Sequence, residues 1–228
     1  MGGMFRSVAK ACVMLAAVGV LSGSVAASAV AEAPGLVGRY STPDSAAALP
    51  PVRGGDEVCD GQVALDWPVS VVAWTEIRGL RDLGLPVCDV TWGFYALDAW
   101  WGMSYQDASG EVFIQIEAND AEYADTVDPD LAIRSVVRHE FGHAIVYEAG
   151  LQEAELRATF TDPLSWTDES TEPGNEVAAT AIAAVLAAER NDEQWSVYVE
   201  DVSAASLEAA EALVAASVGS GTPARGDY

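Results

Sequence analysis

One lysine (Lys10), two histidines (His139 and His143) and three cysteines are all that the 228-residue chain carries of these types. Lys+Arg number 11 against 35 Asp+Glu, a formal net charge of −24. That shortage of positive charge makes nucleic acid and anionic membrane surfaces poor partners, since both would repel the chain. The plain reading of the acidity is a solvated surface that keeps the protein soluble. Apart from one apolar run near the N-terminus, no stretch is long and apolar enough to span a bilayer, and no internal repeat is present.

The N-terminus has the pattern of an export signal. Arg6 and Lys10 form a positive start, Ala11 to Leu21 is an uncharged apolar run, and Ala27-Ser28-Ala29 offers small residues for a signal peptidase, with the mature chain starting near Val30. Residues 1–31 are therefore read as a signal peptide and the protein as secreted. The alternative is an uncleaved segment that holds it at the membrane. Cys12 lies at the start of the apolar run, not at its end, so it does not match a lipidated cysteine. Residues 32–57, rich in Pro, Ala, Gly and Asp, read as a linker or short propeptide. The rest of the chain amounts to one domain, 58–218, with a flexible tail at 219–228, because roughly 200 residues suffice for one sizeable core but not for two. The two cysteines of the mature chain, Cys59 and Cys88, lack the short spacing of a metal-binding pair, and in an oxidising compartment a disulfide between them is expected.

The coarse pattern is α+β. Val71, Trp74, Ile77 and Leu80 recur near helical spacing, which predicts a helix within Asp66–Leu83, and Val87–Phe94, carrying Cys88, has strand composition. Trp100–Tyr105 and Glu111–Glu117 flank Asp107-Ala108-Ser109-Gly110 and predict a hairpin in a small mixed sheet, the second arm being the candidate edge strand. Asp128-Pro129 predicts a helix start and Gly150 its stop. A second long helix begins near Pro173 and runs through Glu176 to Leu186, with small residues that let another helix come close. A third covers Ser203 to Ser217.

Both histidines fall in His139-Glu140-Phe141-Gly142-His143, inside the helix expected from Pro129 to Ala149. Residues four apart share a helix face, so two imidazoles can reach one ion. Glu140 is turned partly round the helix, where it can reach a metal-activated water and not the metal.

This pattern resembles the zincin metallopeptidases. A third histidine six residues further on, with a glycine between, would mark the metzincins; Val146 and Ala149 stand there instead. The Gly-Thr-x-x-Asp pattern of the aspzincins is absent too. What remains is a gluzincin-like set, two His and a Glu from a second helix, with Asn175-Glu176 similar to the Asn-Glu pair that opens that family's second-helix motif. The resemblance implies Zn2+ held by His139, His143 and Glu176, Glu140 as catalytic base, a zincin-like single domain, and a peptide or protein substrate. Glu172, Glu169 and Asp168 are competing third ligands. Where that motif has an acidic residue four positions after the Glu, this chain has Thr180, which with backbone carbonyls is the candidate to orient a ligating histidine. Tyr147, Tyr198 and Arg190 are candidate oxyanion donors, and Trp100, Trp101 and Trp166 candidate cleft walls. Two other readings stand beside the secreted peptidase: a zincin-like module without turnover, and an accidental motif that binds no metal.

Overall fold

The computed structural model describes residues 57–59, 62–63, 68–95, 97, 101–124, 126, 128–165, 172–196, 199 and 201–219, all within one compact unit, Pro43–Tyr228. The expected signal peptide, the linker short of Glu57 and the tail past Gly219 lie outside them, as do Trp100, Trp166, Asp168, Glu169 and Tyr198. Among the described residues the fold is α+β, with five α-helices and a three-stranded mixed sheet beside a two-stranded ribbon. No helix among them is long and apolar enough to cross a membrane.

A short antiparallel pair, β1 (Glu57–Cys59) and β2 (Gln62–Val63), precedes α1 (Pro68–Asp82). Val69, Ala73, Trp74, Ile77 and Leu80 form the buried stripe of α1, while Val71, expected on that stripe, faces solvent. The strand expected over Val87–Phe94 is a 3-10 turn at Val87–Asp89 followed by β3 (Val90–Tyr95). Pro86 starts the turn, its carbonyl accepting from the Asp89 amide at 3.1 Å. Cys88 thus lies on the turn, bonded to Cys59 as expected.

The hairpin forms from β4 (Gly102–Gln106) and β5 (Val112–Glu117), but β5 is not an edge. Strand order is β3-β5-β4, with β3 parallel to β5 in the register Val90↔Val112 through Tyr95↔Glu117. Both sides of β5 are therefore hydrogen-bonded, and Val112, Ile114 and Ile116 are buried. Among the described strands β4 is the outer one that packs on α2.

α2 (Pro129–Ala149) starts and stops as expected. The Asp128 side chain accepts from the Leu131 amide at 3.0 Å, and Gly150 takes the left-handed conformation (φ 66°) that ends the helix. Ala132 to Val146 is buried almost without a break because α1, α4 (Pro173–Glu189) and β4 all pack on this one helix. A seven-residue helix not expected from the sequence, α3 (Glu153–Thr159), leads towards α4. α5 (Ala204–Ser217), capped by the Ser203 side chain, covers α4. Gly219, expected to open the tail, is held by a 3.2 Å bond from its amide to Gly84 O.

Behind α2 lies a buried ionic cluster. Arg138, wholly buried, reaches Glu76 of α1 at 2.7 Å, Asp192 at 2.5 Å and the Glu193 carbonyl at 2.8 Å. Arg190 Nε is 2.9 Å from the same Glu76 oxygen, an ion pair by distance although its N–H is not aligned for a hydrogen bond. Gly79 makes room for it, since a Cβ there would fall 1.6 Å from Arg190 Nη1. Burial works to raise the Asp192 carboxyl, but the Arg138 and Arg134 hydrogen bonds outweigh it and hold it near 2. The cluster ties α1, α2 and the end of α4 together, so Arg190, one of the candidate oxyanion donors, is a structural cation.

The Cys59–Cys88 bridge spans 29 residues. Replacing both cysteines by serine is expected to lower unfolding stability by about 3 kcal/mol on the chain-entropy argument. Urea titration of wild type and double variant measures it, and coincident midpoints would refute it.

Candidate metal centre

His139, Glu140 and His143 are placed by α2, and Glu176 by the first turn of α4, in the seam where these two helices pack. The start of α4 is fixed from outside the helix. Its N-cap residue, Glu172, makes no cap bond; instead Glu153 of α3 accepts from Gly174 N at 2.9 Å and Asn175 N at 3.1 Å. A carboxylate so sits at the positive end of the helix dipole, satisfying the Gly174 amide and sharing that of Asn175 with Glu172 O at 3.0 Å.

The three expected ligands converge. His139 Nε2 and His143 Nε2 are 3.2 Å apart, and Glu176 Oε2 lies 3.1 Å from the first and 3.6 Å from the second. Zinc bonds of about 2.0–2.1 Å at tetrahedral angles require ligand atoms about 3.3–3.4 Å apart. The observed triangle brackets that edge, so the donor set fits zinc in spacing as well as in chemistry. Among the described residues it is the one cluster of three His, Cys, Asp or Glu donors able to meet at a single ion.

The outward nitrogens are tied down. His143 Nδ1 is 3.0 Å from Asn175 Oδ1, and Asn175 Nδ2 donates to Glu172 Oε2 at 3.2 Å, which fixes the amide with its oxygen towards the imidazole. Neutral His143 therefore carries its proton on Nδ1 and turns the Nε2 lone pair to the site. Thr180 Oγ1, a candidate for orienting a ligating histidine, is 3.4 Å from His139 Nδ1. Glu172, expected as a competing ligand, supports Asn175 from an exposed position.

Electrostatics follow from this packing. Burial would lower the His143 pKa, but the hydrogen bond and charge of Glu176, with the charge of Glu140, lift it to about 9. Burial pushes the Glu176 carboxyl up, and the two histidines more than reverse this, holding it far below the usual carboxylate range. An imidazole ligates only when neutral, so cation uptake at such a site goes with proton release.

Glu140 stays out of the triangle. It is buried, and burial raises its carboxyl while the two histidines pull the other way. Its side chain lies against β4 at Gly102, where a Cβ would come within 2.6 Å of Glu140 Cγ and Oε1. Next to Gly102, Trp101 is half-buried and packs on Tyr123 and Trp195 at centroid distances of 5.7 and 4.8 Å. Tyr147 stacks on His143 at 6.5 Å and points its hydroxyl towards Ser104 O of β4 at 3.4 Å.

Sequence reasoning did not assign three contributors: Asn175 as the partner of His143, Gly102 as the surface under Glu140, and Glu153 as the cap of α4. Only Asn175 carried a signal, its place before Glu176. Comparison of the chain with protein-family models, curated proteins and solved structures found no match.

Asn175→Ala is expected to leave the fold intact and weaken zinc binding about 10- to 100-fold, the usual effect of removing a ligand's orienting partner. Competition against a chromophoric chelator reads it. Unchanged affinity would mean that Asn175 does not set the His143 tautomer.

Proposed function

We propose that the protein is a secreted zinc-dependent peptidase with a zincin-like domain and a gluzincin-like ligand set, His139, His143 and Glu176. One observation carries the reading: three donor atoms 3.1 to 3.6 Å apart, with a buried carboxylate, Glu140, beside them and outside the set. When bound, zinc supplies Lewis acidity that makes a water nucleophilic near neutral pH and polarises the peptide carbonyl.

The remaining chemistry belongs to this chain. Glu140 takes the proton of the attacking water and returns it to the leaving amine nitrogen. A carboxyl raised by burial is suited to hold that proton between the two steps. Gly102 keeps Glu140 flat against β4, and β4, an outer strand in the order β3-β5-β4, takes the place of the β5 edge expected from sequence as the strand along which an extended peptide would lie. Tyr147, stacked on His143, remains a candidate oxyanion donor, its hydroxyl turning from Ser104 O to the substrate.

Digestion of a broad peptide library tests this. Wild type is expected to cleave, and Glu140→Gln to bind zinc as tightly while turning over about 100- to 10,000-fold more slowly, the range for losing a general base. A Glu140→Gln protein as active as wild type would contradict the assignment. Two zinc-loaded proteins that both fail to cleave would favour the zincin-like module without turnover.

A further inference from the structure

We infer that Gly142 sets the span of the metal site: its bare Cα lets α2 and α4 touch backbone to backbone at Ala179, and that approach brings Glu176 within reach of both imidazoles. The inference rests on the proposed metal site but concerns a residue that is neither ligand nor base.

The ligand pattern prescribes positions 139, 140 and 143 and leaves 141 and 142 open. Phe141 turns to the sheet and stacks on Trp92 at 6.1 Å. Gly142 turns to α4. A Cβ built on it would lie 2.7 Å from Ala179 O, 2.9 Å from Ala179 Cα and 3.2 Å from Ala179 C. These are backbone atoms within a buried helix, so no side chain can swing aside to admit a methyl group. Ordinary contact begins at 3.4 Å, so α4 would have to recede by at least ~0.7 Å.

The contact sits at the metal site along both helices. Gly142 adjoins His143 and is three residues past His139, while Ala179 is one turn past Glu176. Glu176 Oε2 is already further from His143 than from His139, 3.6 against 3.1 Å. Withdrawing α4 at this point stretches the triangle beyond the tetrahedral edge for zinc, towards the longer bonds of a larger ion. The α4 residues around the contact are small and buried (Ala178, Ala179, Ala181, Ala183), so α4 presents little but backbone to Gly142. Helix propensity argues in the opposite direction: alanine is favoured over glycine by about 1 kcal/mol within a helix. Any loss in Gly142→Ala therefore arises from the interhelical contact.

The test uses the full chain, demetallated, with Zn2+ and Cd2+ as probes in chelator competition. Gly142→Ala is expected to raise the zinc Kd about 10- to 100-fold, comparable to disturbing a ligand's support, and the cadmium Kd less, so that the zinc preference falls. Ile77→Val, a buried truncation in α1, controls for general loosening: it should lower the thermal midpoint and leave the preference unchanged. If circular dichroism shows demetallated Gly142→Ala unfolded, titrating its helical signal back with Zn2+ and with Cd2+ carries the test, cadmium being expected to restore it more effectively relative to zinc than the wild-type preference would give. A folded variant with wild-type affinities, or an Ile77→Val protein showing the same change in preference, overturns the inference and leaves the metal reading standing. Failure of the wild type to bind zinc overturns the metal reading itself.

Discussion

The seam between α2 and α4 is the constraint on which the rest of the molecule depends. Two imidazoles and a carboxylate meet there with most of their surface out of water, and groups of that kind stay buried only when each polar atom has a partner. The chain meets the requirement from several directions: Asn175 and Thr180 hold the outward ring nitrogens, and Glu153, reaching across from α3, holds the amides that start α4. The inward atoms are left facing one another. Three donors in that arrangement repel one another unless a proton or a cation lies between them, and so the architecture calls for a positive charge at one point.

The buried cluster around Arg138 belongs to the same design. Arg138 precedes His139, and Asp192 and Arg190 come directly after α4, so the ionic contacts join the two ligand helices on the side away from the ligands. Buried ion pairs add little net stability once desolvation is counted, yet removing one partner leaves a costly uncompensated charge. Their consequence is one allowed arrangement of the helices. The close approach at Gly142 and Ala179 acts likewise, since backbone in contact with backbone has no rotamer through which to relax.

Much of this could be read from the residues. Asp128-Pro129 and Gly150 bound α2 because cap chemistry is local, and the two histidines share a face because helical periodicity is fixed. Glu176 could be singled out as an acidic residue at the start of a small-residue helix. What escaped the sequence depended on distant partners. Val112, Ile114 and Ile116 alternate as they would in an edge strand, and nothing local reports that β3 closes the other side in parallel. Val87, Val90 and Thr91 read as one strand because β-branched composition does not register the turn begun by Pro86. α3 buries only Leu156 among its seven residues, too little for a periodic signal. Arg190 looked free to serve the site because the charges that hold it come from α1, over a hundred residues earlier.

Zinc K-edge X-ray absorption on demetallated protein given one equivalent of zinc tests the central claim most directly. A shell of four nitrogen and oxygen ligands at about 2.0–2.1 Å is expected, with outer-shell scattering from two imidazoles, reduced by one ligand in Glu176→Ala. A six-oxygen shell without imidazole scattering, or zinc that washes out of folded protein, would contradict it.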